Sequence, residues 1–135
     1  MKAAGFGYIE AHYNLSISYQ EGQGVGKDEK KHLHHLEQAA IGGHPSARHN
    51  LGCVEWENGR ADRAIKHFII AAKLGYDLSL ENLKERYAYG DISKEDFAAA
   101  LRGHQAAVDS TKSSQRDEAE AVLQKLDAAK ALERG

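Results

Sequence analysis

Apolar residues recur every three or four positions along most of this chain, which is the spacing of one face of an α-helix. The first such stretch predicts a helix over residues 8–21, and the second a helix from about residue 28 to Gly42-Gly43. Glycine ends each stretch, as expected, because it adopts a left-handed backbone without strain. The apolar positions of the two helices are Tyr8, Ala11, Leu15 and Tyr19, then Leu33, Leu36, Ala39 and Ala40.

Two more pairs of helices follow. The second pair opens at His44-Pro45, where proline suits the first helical turn, breaks at Asn58-Gly59 and resumes near Ala61. The third pair begins at Tyr76, breaks at Gly90 and resumes over residues 93–109. The chain therefore predicts helical hairpins joined by short glycine-containing turns.

A final helix is expected over residues 115–134, after a polar stretch at 109–114. We interpret it as a cap, because an array of hairpins leaves an apolar edge at its last unit. Gly103, which has no side chain, would let this cap approach closely. The apolar stripe of the helix consists of Ala119, Val122, Leu123, Leu126 and Ala129.

The hairpins repeat one another in sequence. An alanine, a glycine three residues later, and an asparagine-leucine pair further on recur with offsets of 36 and then 32 residues. Self-similarity at this period is typical of stacked helical hairpins. The aligned sets are Ala4, Ala40 and Ala72; Gly7, Gly43 and Gly75; Asn14, Asn50 and Asn82; and Leu15, Leu51 and Leu83.

The expected fold is therefore all-α, a superhelical solenoid of helix-turn-helix units with a C-terminal capping helix. We divide the chain into the end of a truncated preceding unit (1–7), three units (8–43, 44–75 and 76–110) and the cap (111–135). On this division the chain begins within an array.

Composition removes several functional classes. The net charge is −2 over 135 residues, and Lys and Arg are scattered, so nothing suggests nucleic-acid binding. No apolar run approaches the roughly 20 residues that a membrane span needs. The single cysteine, Cys53, cannot form an internal disulfide and is compatible with a reducing compartment, so the expected location is cytoplasmic.

The repeat resembles the Sel1-like repeat, a relative of the tetratricopeptide repeat. Residues 47–59 and 64–75 carry the clearest pattern: Ala-x-x-x-Leu-Gly in the first helix, and Ala-x-x-x-Phe-x-x-Ala-Ala-x-x-Gly in the second. The resemblance implies a right-handed superhelix that acts as an adaptor or scaffold for protein complexes. Ser16 and Lys84 stand where the family prefers glycine, which predicts looser first and third hairpins.

Asn14, Asn50 and Asn82 are the sharpest functional hint. The resemblance implies that the first helix of each pair lines a concave groove, where asparagine would clamp a peptide backbone. An amide suits this role because it both donates and accepts hydrogen bonds. The alternative is that each amide bonds to the neighbouring hairpin, since buried amides are usually satisfied internally. The sequence leaves both possibilities open.

The residues beside these asparagines predict a groove that is aromatic at its start and acidic at its other end. Such a groove would favour a basic or polar peptide. The alternative is a solvated helix face, because charged residues usually face water. The positions are Tyr13, His49 and Glu81, then Ile17, Cys53 and Glu85, then Glu21 and Glu57.

Histidines offer a metal-binding alternative. His32 and His35 are three residues apart, close to a spacing that zinc accepts, and His34 lies between them. No third and fourth ligand lies close by in the sequence, and His35 aligns with His67 at a packing position. We therefore favour structural or surface histidines and expect no metal and no cofactor.

Catalytic motifs are absent from the sequence, which has no nucleophile elbow, phosphate loop or dinucleotide fingerprint. Cys53 and His49 lie one helical turn apart, but no oxyanion hole is readable. We predict a non-enzymatic module that binds a protein or peptide. The alternatives are a histidine-based metal-binding or hydrolytic protein, and a spacer or self-associating segment that forms a homodimer through an exposed repeat edge.

Overall fold

The computed structural model describes residues 5–22, 24 and 26–134. Within these residues the chain forms six α-helices and no strand, which confirms the all-α prediction. None of these helices combines the length and the apolar character that crossing a membrane requires. The helices are α1 (Gly5–Glu21), α2 (Glu29–Ile41), α3 (Pro45–Glu57), α4 (Ala61–Lys73), α5 (Asp77–Ala88) and α6 (Lys94–Arg134).

The helix ends follow the local sequence. Asp28 caps α2 through its carboxylate, which accepts a hydrogen bond from the backbone N–H of Lys31 at 3.1 Å. Helices α2 and α4 end in turns of the same kind. Gly43 and Gly75, one in each turn, have φ values of 95° and 97°. Only glycine adopts this conformation at no steric cost, so the same residue recurs at the same place in the repeat.

The core is distributed along the stack rather than gathered at one centre. One cluster joins α1, α2 and α3, and a second joins α3 to α6 through α4. Each hairpin therefore depends on its neighbour for burial, as expected for an array. The first cluster contains Leu36, Ala39, Ala40, Ala47 and Leu51, and the second contains Ala64, Ile65, Phe68, Ala72, Leu80, Leu83, Ile92 and Ala100.

Small residues decide how closely the helices approach. A Cβ atom on Gly52 would lie 2.6 Å from the ring of Phe68, so glycine is required where α3 crosses α4. Ser16 takes the equivalent place in α1, where it is fully buried and its hydroxyl donates to the Tyr13 carbonyl at 2.8 Å. Serine is therefore small enough for this site, and the first hairpin closes around it instead of loosening there.

The third unit packs differently. The first part of α6 lies mainly against α4 and only secondarily against α5. Gly103 faces α4, since a Cβ atom there would lie 2.7 Å from the Lys73 side chain. The expectation that Gly103 admits a capping helix is therefore wrong. Lys84, which stands where the first two units have Ser16 and Gly52, is exposed on α5.

The C-terminal segment forms no separate cap. The predicted break at residues 109–114 is absent, because α6 continues as one helix of 41 residues, and residues 111–134 are exposed throughout. No glycine or proline interrupts this stretch, and the Thr111 hydroxyl donates back to the Ala107 carbonyl at 3.1 Å. Asp109, which accepts from Gln105, likewise bonds within the helix, and nothing forces the chain to turn.

The start of the chain also differs from the prediction. Residues 1–4 lie outside the described part, but Gly7 is helical and belongs to α1. It does not form the turn found at Gly43 and Gly75.

Candidate interaction groove

The three aligned asparagines lie in different surroundings. Asn14 is exposed on α1, whereas Asn50 on α3 and Asn82 on α5 are half-buried. The Asn50 amide donates to the Tyr13 hydroxyl at 3.4 Å, which links α3 to α1. The side-chain oxygen of Asn82 is buried and has no hydrogen-bond donor within the described residues. One of the three amides is thus engaged internally, and another carries an unused acceptor.

Tyr13 and His49 join successive units. The Tyr13 ring stacks on His44, which precedes α3, with ring centroids 4.1 Å apart. The His49 ring lies 5.1 Å from Tyr76, the equivalent residue before α5. Equivalent aromatic pairs therefore join α1 to α3 and α3 to α5, stacked in the first case and tilted by 48° in the second. Both residues were predicted to line the groove, and in the structure they join successive units.

His49 makes a second contact with the third unit. Its Nδ1 atom shares a hydrogen bond of 2.6 Å with the hydroxyl oxygen of Ser79 on α5. Burial lowers the pKa of His49, so the ring is neutral near pH 7. His49 is therefore held in place as an uncharged group and adds no positive charge to this surface.

A groove runs between α3 and α5 and contains two adjoining hollows, with cavity volumes of about 280 and 400 Å³. Asn82 and Glu85 line both of them. We call this surface the α3–α5 groove. The first hollow is lined by Cys53, Trp56, Glu57, Phe68, Asn82, Glu85 and Arg86, and the second by His49, Leu78, Glu81, Asn82, Lys84 and Glu85.

The cations of the groove are already paired. An amino group of Arg86 lies 3.0 Å from the Asp91 carboxylate, and the guanidinium carbon lies 4.8 Å from the centre of the Trp56 ring. Lys84 pairs with Glu81 on the same helix at 3.1 Å.

The anions of the groove are less engaged. Glu85 is exposed and makes only a long ion pair, at 3.9 Å, with Arg86. Glu57 is exposed and makes no ion pair in the described part of the chain. The groove therefore presents acceptors and negative charge rather than donors.

Cys53 is half-buried at the floor of the groove. Burial raises the pKa of its thiol, and the neighbouring Glu57 raises it further, so the sulfur stays protonated near pH 7. His49 Nδ1 bonds to Ser79, and within the described residues no hydrogen bond joins His49 to the Cys53 sulfur, so the two are not paired as base and nucleophile. These two residues fit an apolar lining better than a catalytic pair.

Four of the eight predicted site residues border this groove: His49, Glu81, Asn82 and Glu85. Asn14, Tyr13, Ile17 and Asn50 line neither hollow. Trp56 is not among the predicted site residues, but it is 42% exposed and forms one wall of the groove. Trp56 is seven residues from His49 and three from Cys53, so it lies on the same face of α3. This spacing is the feature of the sequence that could have identified Trp56 as a groove residue.

Two of the three histidines of α2, His34 and His35, lie together with His12 on α1, and His32 lies apart. His32 is buried, and its Nδ1 atom bonds to the Ser16 carbonyl at 2.8 Å. His35 instead pairs with His12 on α1, with 2.8 Å between their Nδ1 atoms, and His34 is exposed. Within the described residues, no group of three His, Cys, Asp or Glu side chains is arranged to hold a metal ion.

Comparisons with known proteins agree with the repeat pattern. The family model described as Sel1 repeat matches residues 9–44 and 45–76, which is half of the chain. A crystal structure of a protective antigen present in uropathogenic Escherichia coli strains, described as displaying an SLR fold, superimposes with a TM-score of 0.56 at 31% identity. The match covers 80% of this chain but 24% of that one, so the chain spans about a quarter of its length. No curated protein matches the chain.

Proposed function

Because the chain belongs to the Sel1 repeat family, whose members generally mediate protein–protein interactions, we propose that it binds a peptide or protein segment in the α3–α5 groove. Such repeats are typically non-catalytic, so binding is the whole of the proposed activity. The partner would lie along the first helices of neighbouring units and enter the two hollows that Asn82 separates.

One observation carries this proposal. The buried side-chain oxygen of Asn82 has no donor among the described residues, and Asn82 lines both hollows. Leaving a buried polar atom unpaired costs about 1–3 kcal/mol, so this atom favours a partner that brings a donor. A backbone N–H of an extended segment would supply it, while Trp56 and Leu78 would provide apolar contact area. His49 would contribute a fixed, neutral wall.

The remaining predicted residues extend the proposal along the array. A longer segment would leave the groove past Asn50 and Tyr13 and continue toward Ile17 on α1, whereas Asn14 is exposed, lines neither hollow and is not part of the proposed surface. Asn50 and Tyr13 already bond to each other, so they would contribute mainly through shape.

Affinity capture with two matched alanine variants tests the proposal. Asn82→Ala removes the unpaired acceptor, and Asn14→Ala removes the aligned amide that is exposed and outside the groove. We expect proteins captured by the wild-type chain to be lost or reduced with Asn82→Ala and retained with Asn14→Ala. Circular dichroism should show equal helicity for both. Equal capture by the two variants would exclude the groove as the binding surface.

Self-association is a second candidate, and the exposed stripe on α6 favours it. Val122, Leu123 and Leu126 are 56, 60 and 54% exposed. An apolar stripe that is exposed to water in this way is typical of an interaction surface. A second copy of the chain would bury this stripe in a homodimer. Light scattering of the wild type and of Leu123→Glu tests this candidate. It requires that the wild type has the molar mass of a dimer and that the negative charge of the variant converts it to a monomer.

A further inference from the structure

We infer that the first hollow of the α3–α5 groove receives a basic side chain, arginine or lysine, from the bound segment. This inference rests on the proposed function and adds the chemistry of the ligand to it. The hollow that it concerns is bounded by Trp56 and Glu57 on α3 and by Asn82, Glu85 and Arg86 on α5.

The hydrogen-bonding groups of the hollow define what a ligand must bring. The Asn82 oxygen is buried and unpaired, and the two carboxylates on either side, Glu57 and Glu85, can only accept when ionised. Arg86 is the one cation lining the hollow, and Asp91 already holds it at 3.0 Å. A ligand group with several donors would satisfy these acceptors, whereas a second acceptor would add to the excess.

The charge balance leads to the same ligand class. Glu57 and Glu85 are both exposed at the edge of the hollow, and burial keeps the nearby Cys53 thiol in its neutral form. The Arg86 charge is shared with Asp91, so the hollow keeps a net negative character. A cation entering between two carboxylates would form charge-assisted hydrogen bonds, which are roughly twice as strong as neutral ones.

The Trp56 ring makes the hollow suitable for the apolar stem of a long basic side chain. It is 42% exposed and already has the Arg86 guanidinium 4.8 Å from its centre. Aromatic rings attract cations through the negative charge of their faces. The methylene groups of arginine or lysine would pack on the ring and on Cys53, with the charged end at the carboxylates.

A matched pair of peptides tests the inference by NMR titration of the full chain. The probes are two acetylated, amidated five-residue peptides of glycine and alanine, one with a central arginine and the other with citrulline, the uncharged analogue of nearly the same shape. A third peptide with lysine separates the two basic side chains. We expect the arginine peptide to shift the Trp56 indole and Asn82 amide signals and to bind at least about tenfold more tightly than the citrulline peptide.

Variants of the chain locate the binding. Glu57→Gln and Glu85→Gln should each weaken binding of the arginine peptide, and Glu21→Gln should leave it unchanged. Glu21 occupies the position in α1 that Glu57 occupies in α3 and is also exposed, so it controls for the general effect of removing one negative charge.

Each outcome separates this inference from the proposed function. Equal binding of the arginine and citrulline peptides at Asn82 would overturn the cation preference but support the groove as a binding surface. Failure of both basic peptides to shift the Trp56 and Asn82 signals would also overturn it, and the capture experiment with Asn82→Ala would still decide the proposed function. Loss of capture with Asn82→Ala, together with tight binding of the arginine or lysine peptide alone, supports both.

Discussion

The two halves of α6 have similar amphipathic patterns but opposite surroundings. In the first half, Phe97 packs on the second core cluster and Ala100 is completely buried. In the second half, Leu123 and Leu126 remain more than half exposed, and every residue from 111 to 134 faces solvent. An apolar stripe therefore predicts a helix, but only a neighbouring helix can bury that stripe. The first half has α4 beside it.

The largest expected difference between the packed and exposed regions is in the free energy of unfolding, when a side chain is added where two helices are in close contact. Gly52→Val should lower the free energy of unfolding by about 1–3 kcal/mol, because the added side chain would overlap the Phe68 ring. Ala121→Val places the same side chain on the exposed half of α6 and should cost less than about 0.7 kcal/mol through helix propensity alone. Urea titration followed by circular dichroism measures both, and equal midpoints would contradict the packing shown at Gly52.

The second-largest effect is expected from acidification, which should lower the stability of the packed region. Burial lowers the pKa of His35 in the first hairpin, with further effects of His12, His34 and Lys31, and burial lowers the pKa of His67 in the second, with a further effect of Arg48. Glu55 opposes the shift at His67.

A histidine whose pKa is lower in the folded than in the unfolded chain stabilises the fold fully above its unfolded value, near 6.5. This stability is lost as the pH falls through the folded value. We therefore expect the free energy of unfolding to decrease from pH 7.5 to pH 5, and to decrease less in a His35→Gln and His67→Gln double variant.

The exposed half of α6 sharpens this test, because residues 111–134 contain no histidine. A chain ending at Ser110 should show the same pH dependence as the full chain. If the pH dependence instead disappears with residues 111–134, the two hairpins are not its source.

The smallest expected effect is that of the same truncation on stability at pH 7.5. Residues 111–134 make no buried contacts within the described structure, so their removal should change the free energy of unfolding of the hairpins by less than about 0.5 kcal/mol. The helical signal should fall in proportion to the residues removed. A larger loss of stability, measured by urea titration at low protein concentration, would indicate that this half packs on the array after all.

Much of the fold followed from local signals. The glycines at positions 43, 59, 75 and 90 predicted the helix ends, where all four have positive φ values. The aligned alanines and leucines predicted core positions in part, since Ala40, Ala72, Leu51 and Leu83 are buried but Leu15 is 40% exposed. The predicted cap was wrong as a separate element, because the polar residues at 109–114 are compatible with a continuous helix and the sequence supplies no residue that breaks it.

The candidate site was less predictable. Equivalent register predicted that Asn50 and Asn82 lie on the same face of successive helices, but register says nothing about what stands beside them. Tyr13 from the preceding unit reaches Asn50, whereas the equivalent residue before Asn82 is His49, which bonds to Ser79 instead. Trp56 was missed because a large aromatic residue in a helical pattern fits the core as well as a surface.

The sequence by itself determined the period of the repeat, the helical hairpins and the turns between them, since these depend on residues close together in the chain. Only the tertiary structure decided which apolar stripe is covered, which histidines face each other and which asparagine keeps an unpaired oxygen. Those outcomes depend on side chains brought together from different units, and the three units carry different residues at the positions where they meet.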